Sequence, residues 1–188
     1  MRGKEILIPE NPVSQFLFSS TRSAWIWLII RLYVGYEWLM AGIHKVGAEA
    51  WTGAKAGAAV TGFVKGALEK TGGEHPDVTG WYAWFLEQIV LPNAKLFAWM
   101  VAWGEVLVGI SLIVGLLTGI AAFFGGFMNA SFLLAGTVSS NPVLFILGTW
   151  LVLAWKVAGW YGLDRWALPY LGTPWKPGKI AAKNKASM

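Results

Sequence analysis

Residues 31–45 read RLYVGYEWLMAGIHK, which places Arg31, Glu37, His44 and Lys45 inside a long apolar run. Ionisable groups in such a run are costly to bury, so they normally face a polar interior and pair there. Later apolar runs add Glu105, Asn129 and Lys156. At ~1.5 Å rise per residue, Glu37, Glu105 and Asn129 fall at roughly 14–17 Å from the outer ends of their segments, and Arg31 and Lys156 at roughly 20–22 Å. Two acids above two bases form a charge-balanced set, and an unpaired member would be expensive, so these residues are expected to meet. Two readings stay open. The set can serve only to fix helix register, or it can line a polar pocket in which Glu37, Glu105 and His44 are the catalytic, proton-exchanging groups and Arg31, Lys45, Asn129 and Lys156 hold the ligand.

The chain has two His, His44 and His75, and no Cys. Disulfides, Cys-ligated iron–sulfur clusters and thiol redox chemistry are therefore excluded in this chain. No metal site, haem or iron–sulfur centre is expected, and no phosphate-binding loop, dinucleotide fingerprint or nucleophile motif is visible.

Helical geometry sorts the charged positions. With about 100° per residue, Arg31, Gly35, Trp38, Gly42 and Lys45 share one face, and Glu37, Ala41 and His44 a second, about 120° away. Gly35 and Gly42 allow another helix to approach closely, and Gly104 and Gly109 form a matching small-residue stripe beside Glu105.

The elements that position these residues are set by composition. Of 188 residues 56% are hydrophobic and 13% charged, and mean hydropathy is +0.53. These values depart from soluble domains toward membrane proteins, and 13 Trp suit a chain with two bilayer interfaces. The net charge of +5 is scattered, which fits anionic lipid head groups and not nucleic acid. Four spanning segments are predicted, at about 24–46, 95–117, 118–139 and 143–162. Pro92-Asn93 is read as the boundary before the second, Leu117-Thr118-Gly119 as a tight turn between the second and third, and Ser139-Ser140-Asn141-Pro142 as the start of the fourth. The fold class is thus all-α: an integral membrane four-helix bundle with an amphipathic helical insert, 47–94, between helices one and two. That insert holds two amphipathic stretches, 54–70 and 78–91, and is read as an interfacial or re-entrant cap. Residues 1–23 form an N-terminal segment without the features of a secretory signal, 24–170 the membrane domain, and 171–188 a basic tail expected to be disordered. The distribution of Lys and Arg puts both termini in the cytoplasm and the insert outside.

Three motifs resemble the DoxX family. Arg31-Leu-x-x-Gly35 with Ala41-Gly42-x-x-Lys45 looks like its first-helix pattern. Trp103-Gly104-Glu105-x-x-x-Gly109 with Gly115-Leu-Leu-Thr-Gly119 looks like its second. Tyr161-Gly162-Leu163-Asp164-Arg165-Trp166 resembles the ending of DoxX and DoxD-type members. The resemblance covers about 24–170. It implies a four-helix protein of a bacterial or archaeal plasma membrane, with quinone as the cofactor, in a quinone-linked oxidoreductase like the thiosulfate:quinone enzyme or in a redox-stress complex. Partners would be the bilayer, a membrane-bound or soluble redox subunit, or a second copy of the chain. No separate DoxA-like part is present, so thiosulfate turnover is not assigned to this chain alone. The alternative is a non-catalytic scaffold or assembly partner of a redox complex. A carrier is disfavoured, since four helices are few for alternating access and no inverted repeat is visible.

Overall fold

The computed structural model describes residues 10–173, and all regular structure in them is helical. Arg2, Lys4 and the tail lysines from Lys176 onward lie outside the described residues. Asn11 caps α1 (Pro12–Ser19), accepting the Val13 N–H at 2.9 Å, while Pro12 takes a first-turn position where its missing donor is not needed. The Trp27 indole donates to Leu17 O at 2.7 Å and ties α1 to α2 (Ala24–Val46).

The insert contains α3 (Ala58–Leu68) and α4 (Gly80–Phe85). Helix α4 passes through a π-wound turn at Leu86–Val90 and a tight turn at Leu91–Asn93 into α5 (Ala94–Val114). Pro92 is therefore not a boundary, as its sequence context implies, but lies inside one helical run, Gly80–Val114. Proline lacks the backbone donor and its ring crowds the preceding turn, and the widened turn just ahead of it absorbs that mismatch.

The ends of the apolar segments differ from expectation for local reasons. Helix α5 stops at Val114, not 117, because Gly115 turns left-handed (φ 69°) and Leu116 N–H returns to Ser111 O at 3.0 Å. Helix α6 (Thr118–Leu134) stops short of 139 by the same device at Gly136, with Thr137 N–H on Phe132 O at 3.0 Å. The fourth segment is not one helix. It breaks at Ala154 into α7 (Asn141–Leu153) and α8 (Trp155–Ala158), and after a turn α9 (Asp164–Leu171) follows. The break lets Trp155 pass over Gly119, where an added Cβ would lie 2.6 Å from the Trp155 Cβ.

Two helical runs, Thr21–Val46 (26 residues) and Gly80–Val114 (35 residues), are long and apolar enough to cross a membrane. Helices α6 and α7 are apolar but shorter, at 17 and 13 residues. They span about 26 and 20 Å, against ~30 Å of hydrocarbon. Large apolar side chains point outward along these helices, among them Ile29, Tyr36, Met100, Leu107, Phe123 and Phe127. Such a continuous apolar skin suits a lipid solvent.

Helix α2 packs antiparallel along α5, and α6 packs along α7. Glycines set the α2–α5 spacing. A Cβ on Gly35 would lie 3.0 Å from Leu112 Cβ, one on Gly109 2.5 Å from Leu39 N, and one on Gly42 2.6 Å from Val106 N. Each step along α2 is thus matched by an equal step back along α5. One hydrophobic cluster fills the space among α2, α5, α6, α7 and α8, around Trp27, Val34, Trp38, Leu112, Leu144 and Leu151. A second lies between the insert and the adjoining ends of α5 and α6, around Val60, Val64, Val78, Tyr82, Leu86 and Val90. The insert therefore sits at one end of the helices. Helices α1 and α8 meet at the other, terminal end, where Asp164 of α9 reaches the α5–α6 turn.

Candidate functional site

The structure resolves the expected charge cluster into two separate stations. At the terminal end, the Arg31 guanidinium threads between the backbones of Gly115 and Gly162, and Nη2 donates to Tyr161 O at 3.0 Å. Its counter-charge is Asp164, whose carboxylate attracts it electrostatically. Asp164 is itself fully buried and accepts two backbone donors, Leu117 N–H at 2.6 Å and Thr118 N–H at 2.9 Å. Its own N–H donates to Gly115 O at 2.7 Å. The carboxylate thus occupies the N-terminus of α6 although it belongs to α9. Arg165, next in the chain, turns outward and lies over the Trp160 ring at 4.9 Å.

Toward the insert end, Lys45 Nζ pairs with Glu105 Oε2 at 2.6 Å, with Glu105 1% exposed and Lys45 22%. Lys45 also lies over the Trp51 ring, 5.2 Å from its centroid. The partner of Glu105 is therefore Lys45, not Arg31 or Lys156. Side chains on a helix lean toward its N-terminus, so the Lys45 stem runs back to the level of Gly42, where Glu105 faces α2. Removing Lys45 strands a buried carboxylate, and Lys45→Met is expected to cost about 2 kcal/mol of unfolding free energy, less than for a fully buried pair. Glu105→Gln is expected to cost less, and the double variant to recover most of the loss. Denaturation in mixed micelles of the four proteins checks this.

The remaining sequence candidates do not join these stations. Glu37 and Lys156 are half-buried, His44 is exposed, and none makes a hydrogen bond or ion pair among the described residues. Asn129 is fully buried with neither amide atom partnered. Gly104 does not clasp α2. It faces Met128 of α6, whose sulfur would lie 3.4 Å from an added Cβ. Among the described residues no three His, Asp or Glu side chains converge as a metal site would require.

A large recess lies elsewhere. Helices α5 and α6 share a turn but touch far less than α2 and α5 do. The groove between them, roofed by the insert, encloses about 730 Å³. Its walls come from Gly104, Leu107, Val108 and Ser111 of α5, from Leu117, Phe124, Met128 and Phe132 at and along α6, and from Trp51, Phe63, Tyr82 and Phe85 of the insert. None of the ionisable candidates lines it. It touches the Lys45–Glu105 pair through two neighbours, Trp51 and Gly104. Sequence reading missed this groove because no charge marks it. Its one advance signal is the density of aromatic residues at 78–91, which amphipathicity alone assigns to a cap.

Comparison with known proteins adds one match. The DoxX family model covers residues 26–138. No curated protein and no solved structure matches the chain.

Proposed function

Because the chain belongs to the DoxX family, we propose that it is a multi-pass plasma-membrane protein, bacterial or archaeal, that serves as the quinone-binding subunit of a membrane oxidoreductase. In this reading α2, α5, α6 and α7 cross as a four-helix bundle. Both termini face the cytoplasm, and the insert lies at the outer surface. The observation that supports the quinone reading is the α5–α6 groove: large, almost wholly apolar and walled by helices whose outer faces are also apolar. A molecule dissolved in lipid can enter such a groove sideways without crossing water.

The residues fit that ligand in a specific way. Aromatic rings offer flat surfaces to a ring, and the aliphatic length of α5 and α6 suits a prenyl tail. A quinone accepts two electrons and two protons. The Lys45–Glu105 pair is an ion pair able to exchange protons beside the groove, set behind Gly104 and Trp51. The chain contains no Cys, so a thiol carrier must come from a partner subunit, and an oxidisable substrate such as thiosulfate is the other source of electrons.

A second reading rests on the stations themselves. Lys45–Glu105 is an internal ion pair, and the Arg31 charge is countered by the nearby Asp164 carboxylate, as charges that only lock helices would be. The protein would then be a scaffold or assembly partner of a redox complex. Gly104→Leu separates the two. Its side chain enters the groove opposite Met128 and not the α2 contact. Quinone extracted from the purified protein should fall about tenfold in this variant, the loss of roughly 1.4 kcal/mol of binding, with little change in thermal stability. Absence of quinone from the wild type, together with a stoichiometric protein partner, would establish the scaffold.

A further inference from the structure

The groove differs along its length. Near the α5–α6 turn its walls are chiefly aliphatic, around Val108, Leu117, Ile120 and Ala121. At the insert end six aromatic side chains gather: Phe63, Trp81, Tyr82, Phe85, Phe97 and Phe132. Phe63 and Phe132 meet edge to face at 6.1 Å, Tyr82 and Phe85 are tilted at 5.6 Å, and Phe85 and Phe97 meet edge to face at 6.4 Å. The chamber suits a flat ring, and the aliphatic length below it suits an apolar chain.

The buried polar handle in that chamber is Tyr82, since the Trp81 indole belongs to an exposed side chain. Tyr82 is 5% exposed, and its hydroxyl donates to Ser131 O at 2.8 Å. The Ser131 carbonyl also accepts the Ala135 N–H of its own helix, at 3.2 Å. If the phenol turns to another acceptor, Ser131 O keeps a partner and no buried orphan is left. The other polar groups along the groove are committed or remote. Ser131 Oγ donates to Phe127 O at 3.0 Å, Trp51 carries the Lys45 ammonium on its face, and Ser111 lies at the turn end of α5.

We propose that the Tyr82 hydroxyl anchors the acceptor oxygen of a planar, lipid-soluble ligand, whose ring sits in the aromatic chamber and whose tail runs between α5 and α6 toward Leu117. The proposal rests on the groove being the ligand site. It goes further in fixing which end holds the head and which residue recognises it. Tyr82 is the specificity-determining donor, and selectivity among apolar molecules reduces to possession of an acceptor oxygen on the ring.

Two synthetic probes test this on the full-length protein in lipid nanodiscs: decyl-benzoquinone, and decylbenzene, which has the same tail and no carbonyl. The wild type should prefer the quinone probe about three- to tenfold, the scale of one neutral hydrogen bond. Tyr82→Phe should abolish that preference by weakening the quinone probe alone, leaving decylbenzene binding unchanged and the helix content intact. Infrared spectra of carbonyl-labelled probe should show a hydrogen-bonded carbonyl in the wild type and a free one in Tyr82→Phe. Equal loss of both probes in Tyr82→Phe would make the residue structural and overturn the assignment. An unchanged preference would overturn it while the groove reading survives. Failure of either probe to bind the wild type would remove the groove reading itself, and the anchor with it.

Discussion

Asp164→Ala is expected to lower unfolding free energy by about 3–5 kcal/mol, the scale of a buried charge stripped of its counter-charge. Three losses coincide at this side chain. Leu117 N–H and Thr118 N–H lose their only acceptors at the start of α6. Leu117, a non-glycine residue held at φ 51°, loses the bond that stabilises its left-handed conformation. Arg31, 1% exposed and with Nε and Nη1 already unpartnered, loses the nearby negative charge. Asp164→Asn keeps one carbonyl acceptor and the shape, so it should retain part of the stability. Arg31→Met combined with Asp164→Asn should be less harmful than the sum of the two single changes, because neither charge is then left alone. Denaturation midpoints in micelles, with far-ultraviolet dichroism to confirm helix content, provide the measurement. A loss below ~1 kcal/mol in Asp164→Ala would show that the clasp contributes little.

Gly109→Ala is expected to destabilise by about 2–3 kcal/mol, the range for forcing atoms into a packed contact. Alanine is the better helix former by about 1 kcal/mol, so helix propensity alone predicts the opposite sign. The added methyl would lie 2.5 Å from Leu39 N and 2.6 Å from Leu39 Cα, and backbone atoms cannot yield without moving α2. Gly62 and Gly126, with nothing within 4 Å of an added Cβ, are the controls. Gly62→Ala and Gly126→Ala should be neutral or stabilising by up to about 1 kcal/mol. Equal behaviour of all three glycines would mean that α2 and α5 are not held at this distance in the membrane.

The helical character and the starts of the first and third segments were legible from composition and periodicity, because such apolar runs and the turn residues beside them carry local information. The second long run, by contrast, begins at Gly80 and passes through Pro92. The first segment, 24–46, has the same limits in the structure. The small-residue face of Gly35 and Gly42 was also readable, because which residues share a face follows from helical geometry alone. The later segment ends were less so. Gly115 and Gly136 end helices inside runs that hydropathy continues, and Ala154 breaks the fourth run because α8 must pass Gly119, a contact no window of sequence contains.

The candidate site was less visible still. Arg31, Gly115, Gly162 and Asp164 lie in three motifs separated by up to 133 positions, and only packing brings them to one point. Depth counting placed Arg31 level with Lys156, one step below Glu37 and Glu105, because it assumed straight, full-length helices. The short α7 and the return of α9 put Asp164 there instead. Lys45 reaches Glu105 because side chains lean toward the helix N-terminus, which depth measured at Cα does not register. Sequence thus set which residues are too polar for lipid and which faces are small enough to touch. Which charge meets which, and where α5 and α6 part to open a groove, followed from helix ends and crossing distances, and those are fixed by contacts between segments far apart in the chain.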